Sequence, residues 1–423
     1  MTTATYLAFE QADEAAAREI ANALDRRGIS ARLAGADARR ADVPGALAQA
    51  VSEARAFVAL LSPAAAQSDW VRREFMLALN NGRAIVPVLT ADIPADSWMN
   101  LAIDREHFVD MRGGPTPSAL NAVIGSIEAA ASKGRVIAML NIKGGVGKTV
   151  LAANLFAAAH LADSRSIAFI DLDPQHNLTQ YFLPPAERNR VRSENMTIYS
   201  VLAPRGPASI DRSAFAGIAA PLNRSKGKNK ARFELIAGDE RLFEYTLDSR
   251  SERDKIEAFA RFQALITMLR SRVDAVVIDA NPCATFLTRL AISAADHIVA
   301  PVRPEKYSLT GLNMLEHVVA EIRGRPIRPE EFSVVLNGVN DRVGSRTGED
   351  ADTLTRQEIM LAPFFGGALL NEAVPYSAAL KATPSDKYAV NPINVTAMMR
   401  VASRQVKTQL VGAAASILRR AEK

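Results

Sequence analysis

The sequence predicts an α/β chain built from two doubly wound units. Three observations carry this expectation. Short apolar runs rich in β-branched residues alternate with helical periodicity along most of the chain. The glycine-rich stretch NIKGGVGKTV, Asn141 to Val150, follows one such run and leads into an alanine-rich helical pattern. The small, flexible segment ASKG, Ala131 to Gly134, separates two sets of alternations. With 423 residues the chain exceeds one ordinary core. The expected division is 1–130, a linker at 131–134, and 135–423.

In the first unit the order is TYLAF (strand), ADEAAAREIANALDRR (helix), ISARL (strand), ALAQAVSEA (helix), AFVALLS (strand), WVRREFMLAL (helix) and AIVPVL (strand), closed by the helical SALNAVIGSIEAA. Strands alternating with helices imply a parallel sheet covered on both faces. The second unit opens with RVIAMLNI. Further buried-strand runs follow: SIAFIDLD (Ser166 to Asp173), DAVVIDA (Asp274 to Ala280), HIVAPV (His297 to Val302) and FSVVLNGV (Phe332 to Val339). Its sheet is also expected to be mainly parallel. LNRSKGKNKAR, Leu222 to Arg232, has five cationic and no acidic residues and reads as an exposed loop. The C-terminal tail places Val401, Val406, Leu410, Ile417 and Leu418 at helical spacing without Phe or Trp, which favours a helix packed on its own domain over one that holds a membrane.

Bulk composition excludes several classes. At 48% hydrophobic and 23% charged the chain is globular, and no apolar run approaches the ~20 residues of a membrane span. The N-terminus lacks the basic start and apolar stretch of a secretory signal, and the single cysteine, Cys283, has no partner for an internal disulfide. A cytoplasmic location is expected. The five histidines, at 107, 160, 176, 297 and 317, lack metal-ligand spacing, so no zinc site is expected. Up to Gly134 there are 13 Lys+Arg against 16 Asp+Glu, a net of −3; the remainder holds 38 against 30, a net of +8. A polyanion would therefore meet the second unit, although a solvated basic face explains the same charge.

The chemistry concentrates in the glycine loop. Gly144, Gly145 and Gly147, between strand and helix, let backbone N–H groups face phosphate oxygens at a helix N-terminus. Lys148 would lie along the β- and γ-phosphates and Thr149 would ligate Mg²⁺. The generic loop carries a further glycine where Ile142 stands, and it needs one lysine, not two. With that departure KGGVGKT resembles the deviant P-loop of ParA/MinD-type ATPases, where the extra lysine is diagnostic; Val150 stands where many relatives have a second hydroxyl residue. The resemblance implies that Lys143 reaches the nucleotide of a second subunit, so that two chains sandwich two ATP molecules and Lys143 supplies a cation for hydrolysis in trans. It also makes the backbone from Lys143 through Val146 to Val150 part of the ATP site. DLDPQHNLT resembles the family's first switch, with Asp171 near the Mg²⁺ shell and Asp173 orienting or activating water. VVIDANP resembles its Walker B strand, with Asp279 holding Mg²⁺ through water. APVRPEKYSLTGL and VVLNGV resemble the nucleotide-base side, making Asn337 an adenine contact. The agreement runs from Arg135 to about Pro384.

The first unit has a resemblance of its own. LLSPAAAQSDWVRREFMLAL is similar to the bacterial branch of the TIR family, in which a strand ending in serine leads through S-x-W to a helix carrying a glutamate; here these are Ser62, Ser68, Trp70 and Glu74. TYLAFEQAD matches the first strand of that flavodoxin-like fold, with Phe9 and Asp13 in place. In enzymatic members the glutamate cleaves the nicotinamide–ribose bond of NAD⁺, a step that builds an oxocarbenium-like centre which a carboxylate stabilises. Trp70, at i−4 from Glu74, shares its helix face and, with Phe9, would wall the NAD⁺ pocket.

Together the resemblances imply an ATPase whose ATP-bound dimer or larger assembly controls a TIR domain that hydrolyses NAD⁺, in bacterial antiviral defence. The alternative is a ParA-like partition or positioning ATPase that binds DNA nonspecifically and uses a non-catalytic TIR domain for interaction. A trigger or partner encoded elsewhere fits either.

Overall fold

The computed structural model describes residues 4–34, 44–81, 83–94, 97–99, 108–130, 134–203, 220–221, 231–247, 250–281, 285–339, 351–377, 380 and 404–422. Residues 131–133 of the expected linker, residues 222–230 of the basic stretch, Cys283, His107 and Val401 lie outside these.

Two sheets form, both flanked by helices. The first contains β1 (Thr5–Ala8), β2 (Ala31–Leu33), β3 (Phe57–Leu61), β4 (Ile85–Leu89) and β5 (Val109–Asp110), ordered β2-β1-β3-β4-β5 with every pairing parallel. The second contains β6 (Arg135–Met139), β7 (Ile167–Leu172), β8 (Ala220–Pro221), β9 (Phe233–Ile236), β10 (Ala275–Ala280), β11 (His297–Val302), β12 (Phe332–Val339) and β13 (Leu369–Pro375). Its order is β13-β12-β11-β6-β10-β7-β9-β8, parallel except for the short antiparallel edge strand β8. The fold is thus two doubly wound α/β layers, as the alternation of runs predicts. Strands β5, β8, β9 and β13 were absent from that prediction. β13 reads LLNEAVP, and the polar Asn371–Glu372 step in its middle is tolerated because β13 is an edge strand.

Side-chain alternation assigns the second sheet's two faces. Val136, Ala138, Ala168 and Ile170 join an apolar cluster continuous with the first sheet's core. Ile137, Met139, Phe169, Val277 and Val299 form a second cluster beneath the helix Lys148–Asp163. The C-terminal helix Arg404–Ala421 buries Val406, Leu410, Ile417 and Leu418 in this second cluster, against Lys148–Asp163 and β13. It is packed on its own domain, and no helix among the described residues is long and apolar enough to cross a membrane.

His297, on central strand β11, is fully buried with Nε2 2.8 Å from Ser333 Oγ. Burial, aided by Arg420 and Arg323, lowers its pKa from 6.5 to about 4. The unfolded chain therefore takes up this proton first as pH falls. The associated stability is complete above pH 6.5, is lost progressively toward pH 4, and amounts to roughly 3 kcal/mol. His297→Gln is expected to flatten that acid limb in thermal melts recorded from pH 7 to pH 4.

Candidate functional site

The chain turns from β6 into the helix Lys148–Asp163 through a loop whose Gly145 and Gly147 have φ of +74° and +92°, conformations that an L side chain rarely adopts. At Gly147 space is lacking as well, since a Cβ would fall 2.3 Å from Asn337 Nδ2. Asn337, on β12, donates that amide to Val146 O at 2.8 Å, and Asn141 joins the loop's start to β11 by donating to Pro301 O at 2.7 Å. Asn141 Oδ1 in turn accepts from Lys143 N at 2.9 Å. Two asparagines, one at the loop's own start and one on β12, therefore brace the loop. Gly144 and Gly145 remain exposed, Val146 is buried, and the half-buried Val150 gives its carbonyl to Asn154 Nδ2 at 2.8 Å.

The two lysines have separate environments. Lys148 is buried and acts electrostatically on Asp279. Lys143 is partly exposed and places Nζ 2.5 Å from Glu305 Oε2 of the same chain.

Behind the loop the sheet register sets two carboxylates side by side, with Asp279 of β10 directly opposite Asp171 of β7. Both are buried. Burial, then the like charge of Asp279, pushes Asp171 up to about 8, although Thr179 donates N and Oγ1 to its Oδ2 at 2.8 and 2.7 Å. Burial likewise pushes Asp279 up to about 7, opposed by Thr149 and Lys148. Gly238 closes this corner: its N–H donates to Thr179 Oγ1 at 2.7 Å, and a Cβ there would lie 2.9 Å from Asp171 Oδ2. Asp173 is buried at the following turn, where its Oδ1 accepts from Gln175 N at 2.9 Å.

Two like-charged groups in a low-dielectric pocket call for a cation. Neither Asp279 oxygen is satisfied by a hydrogen bond of ordinary length. Among the described residues no three His, Cys, Asp or Glu side chains converge as a metal cage. This donor set is of the kind Mg²⁺ takes, since that ion keeps much of its shell for water and phosphate; Thr149 and Asp279 would be the protein's share, with Asp171 behind them.

In the first sheet Glu74 lies on the helix Asp69–Asn80 and is 1% exposed. Tyr6 Oη and Trp70 Nε1 each donate to its Oε1 at 2.8 Å. Tyr6 is itself fixed by stacking on Phe57, with ring centroids 5.6 Å apart. Trp70 is half-buried one turn before Glu74, as the i−4 spacing predicts, and Phe9 is buried. Ser62 and Ser68 are N-caps, for Pro63–Gln67 and Asp69–Asn80, and Ser62 Oγ and Thr90 Oγ1 bond Asp13 at 2.6 and 2.7 Å. Sequence reasoning missed Tyr6, Asn141, Thr179, Gly238 and Glu305. Tyr6, Asn141, Thr179 and Glu305 lie inside TYLAFEQAD, NIKGGVGKTV, DLDPQHNLT and APVRPEKYSLTGL, but their partners are distant in sequence; Gly238 lies outside every motif.

Known proteins match both units. Residues 6–124 match the TIR domain family and residues 134–330 an AAA domain family. The chromosome-partitioning ATPase Soj of Thermus thermophilus is 29% identical over 262 residues, 60% of this chain and 86% of that protein. The chromosome partitioning protein ParA of Myxococcus xanthus is 29% identical over 192 residues, 45% of this chain but only 59% of that protein's length. An uncharacterized protein of Mycobacterium tuberculosis is 31% identical over 255 residues, 58% of this chain and 72% of that protein. The chain belongs to the ParA/MinD-type P-loop ATPase family in its C-terminal part and carries a TIR domain at its N-terminus.

Proposed function

We propose that the chain hydrolyses ATP as a nucleotide-sandwich dimer or larger assembly, and that this assembly controls NAD⁺ cleavage by the TIR domain. The ATPase half rests on the buried Asp171–Asp279 pair beneath the glycine loop. Lys148 and the loop amides hold the triphosphate. Thr149 and Asp279 would hold Mg²⁺, which would supply positive charge against the triphosphate. Asp173 orients the attacking water, and Lys143 acts on the partner subunit's nucleotide. Asn337, whose amide braces Val146, can face adenine with its remaining oxygen.

The NAD⁺ half rests on one observation, the buried Glu74 carboxylate fixed by Tyr6 and Trp70. Two donors hold one carboxylate oxygen in a fixed position, and a carboxylate so placed is the kind of group that stabilises an oxocarbenium-like centre. Glu74 is buried, so substrate reaches it only after its surroundings, Tyr6 and Trp70 among them, rearrange. Such a rearrangement on assembly suits a cytoplasmic defence protein that consumes NAD⁺ on a trigger.

The test is NAD⁺ consumption by the full chain, without nucleotide and with the Asp173→Ala variant loaded with ATP and Mg²⁺. Turnover that appears only in the loaded, assembled sample supports the proposal. Assemblies that leave NAD⁺ intact would overturn its catalytic half. The partition reading draws on the names of the relatives and the net of +8 beyond Gly134. It predicts instead ATP-dependent retention on DNA that weakens steeply with salt.

A further inference from the structure

The helix Ser308–Arg323 runs from the turn that carries Glu305 to the C-cap of the helix that carries Glu74. It has 16 residues and so spans about 24 Å. At its start stands Glu305, paired with Lys143. The turn between them is tied by Ser308 Oγ, which donates to the carbonyls of Arg303 and Glu305, each at 2.7 Å. Within that turn Tyr307 has φ +71° and is 69% exposed, an uncommon backbone state for an aromatic residue that nothing in a packed core imposes.

The far end is held by the TIR domain. Asn81, the C-cap of the helix that carries Glu74, donates Nδ2 to Arg323 O at 3.0 Å and accepts from Arg325 Nε at 3.2 Å. Asn81 is buried, and Leu77 one turn earlier lies 3.7 Å from the Cβ position of Gly324. Arg325 is locked in turn by Glu331, which also binds Arg323 and Arg328. The end of the helix is therefore clamped by an Arg–Glu cluster to the cap of the Glu74 helix, whereas the turn before its buried Ser308 and Leu312 carries the partly exposed Lys143–Glu305 pair and the positive φ of Tyr307.

We infer that Glu305 withholds Lys143 until a second chain's triphosphate takes it, and that Ser308–Arg323 carries this release as a lever to the Glu74 helix through Asn81. Lys143 cannot neutralise its own Glu305 and a neighbour's phosphates together, and the triphosphate carries the greater charge. Once Glu305 is abandoned, the Tyr307 turn relaxes and the helix shifts. Its clamp on Asn81 passes that shift to the cap of the Glu74 helix, and with it to the grip of Tyr6 and Trp70 on Glu74. This rests on the proposed assembly, and it names the residues through which assembly would govern the TIR site.

The first measurement is sedimentation of the full chain with AMPPNP and Mg²⁺. An exposed ion pair is worth up to about a fivefold shift, and a symmetric dimer opens two. Glu305→Gln should therefore lower the half-dimerisation concentration between about 2- and 25-fold, and the gain should vanish in a Lys143→Ala background. An unchanged midpoint, or a gain that persists without Lys143, overturns the latch. The second measurement is hydrogen exchange of amides 69–80 in the same samples. The wild-type helix should change protection on dimerisation, whereas Asn81→Ala should dimerise equally and lose that change. Arg325→Gln repeats the test from the other side should Asn81→Ala unfold the TIR domain. Silent amides in the wild-type dimer, or unaltered responses in both variants, overturn the lever. Neither measurement reads NAD⁺. A responding helix in a chain that spares NAD⁺ removes only the catalytic reading, and a wild type that never dimerises removes the assembly reading together with the latch.

Discussion

On the proposed function, Glu74→Gln is expected to lower NAD⁺ cleavage by about 10³-fold or more while leaving nucleotide-driven assembly intact, because the carboxylate is removed from the proposed reacting centre at almost no cost in shape. The amide oxygen still accepts from Tyr6 Oη and Trp70 Nε1, the two bonds that fix the carboxylate at 2.8 Å, so the fold around it has no reason to rearrange. Chromatographic separation of nicotinamide from NAD⁺ reads the activity, and a thermal melt checks the fold. Retained turnover would move the catalytic role to another group.

The second large effect belongs to Gly147→Ala. The new methyl collides with Asn337 Nδ2 at 2.3 Å and must also adopt φ of +92°. Both faults displace the loop on which phosphate binding depends, and a displacement of ~1 Å at a reacting centre costs about 100-fold, so ATP turnover should fall by at least that factor. Asn337→Ala in the same chain removes the collision but not the backbone strain. The double variant should recover only part of the loss, measured as phosphate release and as AMPPNP affinity. Full recovery would show that sterics alone govern the position.

Much of this site could be read from the sequence because its parts are local. A glycine turn with two lysines sits within one short stretch, and Asp171, Asp173 and Asp279 each end an apolar run, so strand polarity alone brings them to one edge. Trp70 and Glu74 are close for the same reason, being one helical turn apart. What escaped was set by register and by long-range contact. Tyr6 meets Glu74 across 68 residues of chain, and Lys143 meets Glu305 across 162. The strand β9 escaped because its four residues follow a basic stretch with no strand pattern, and β13 because polar residues interrupt it at the sheet's edge. The contacts of Asn81 with Arg323 and Arg325 lie wholly between the two units, where no periodicity within either one reports them.

The final helix, Arg404–Ala421, has a consequence for how the protein can be shortened. Its apolar stripe is the back wall of the fuel-binding helix, with Leu410, Ala413, Ala414 and Ile417 all fully enclosed. Clipping the chain ahead of Arg404 would wet that wall and loosen the very segment from which Lys148 projects. Protein trimmed at this end should thus lose its grip on nucleotide before it loses the TIR domain.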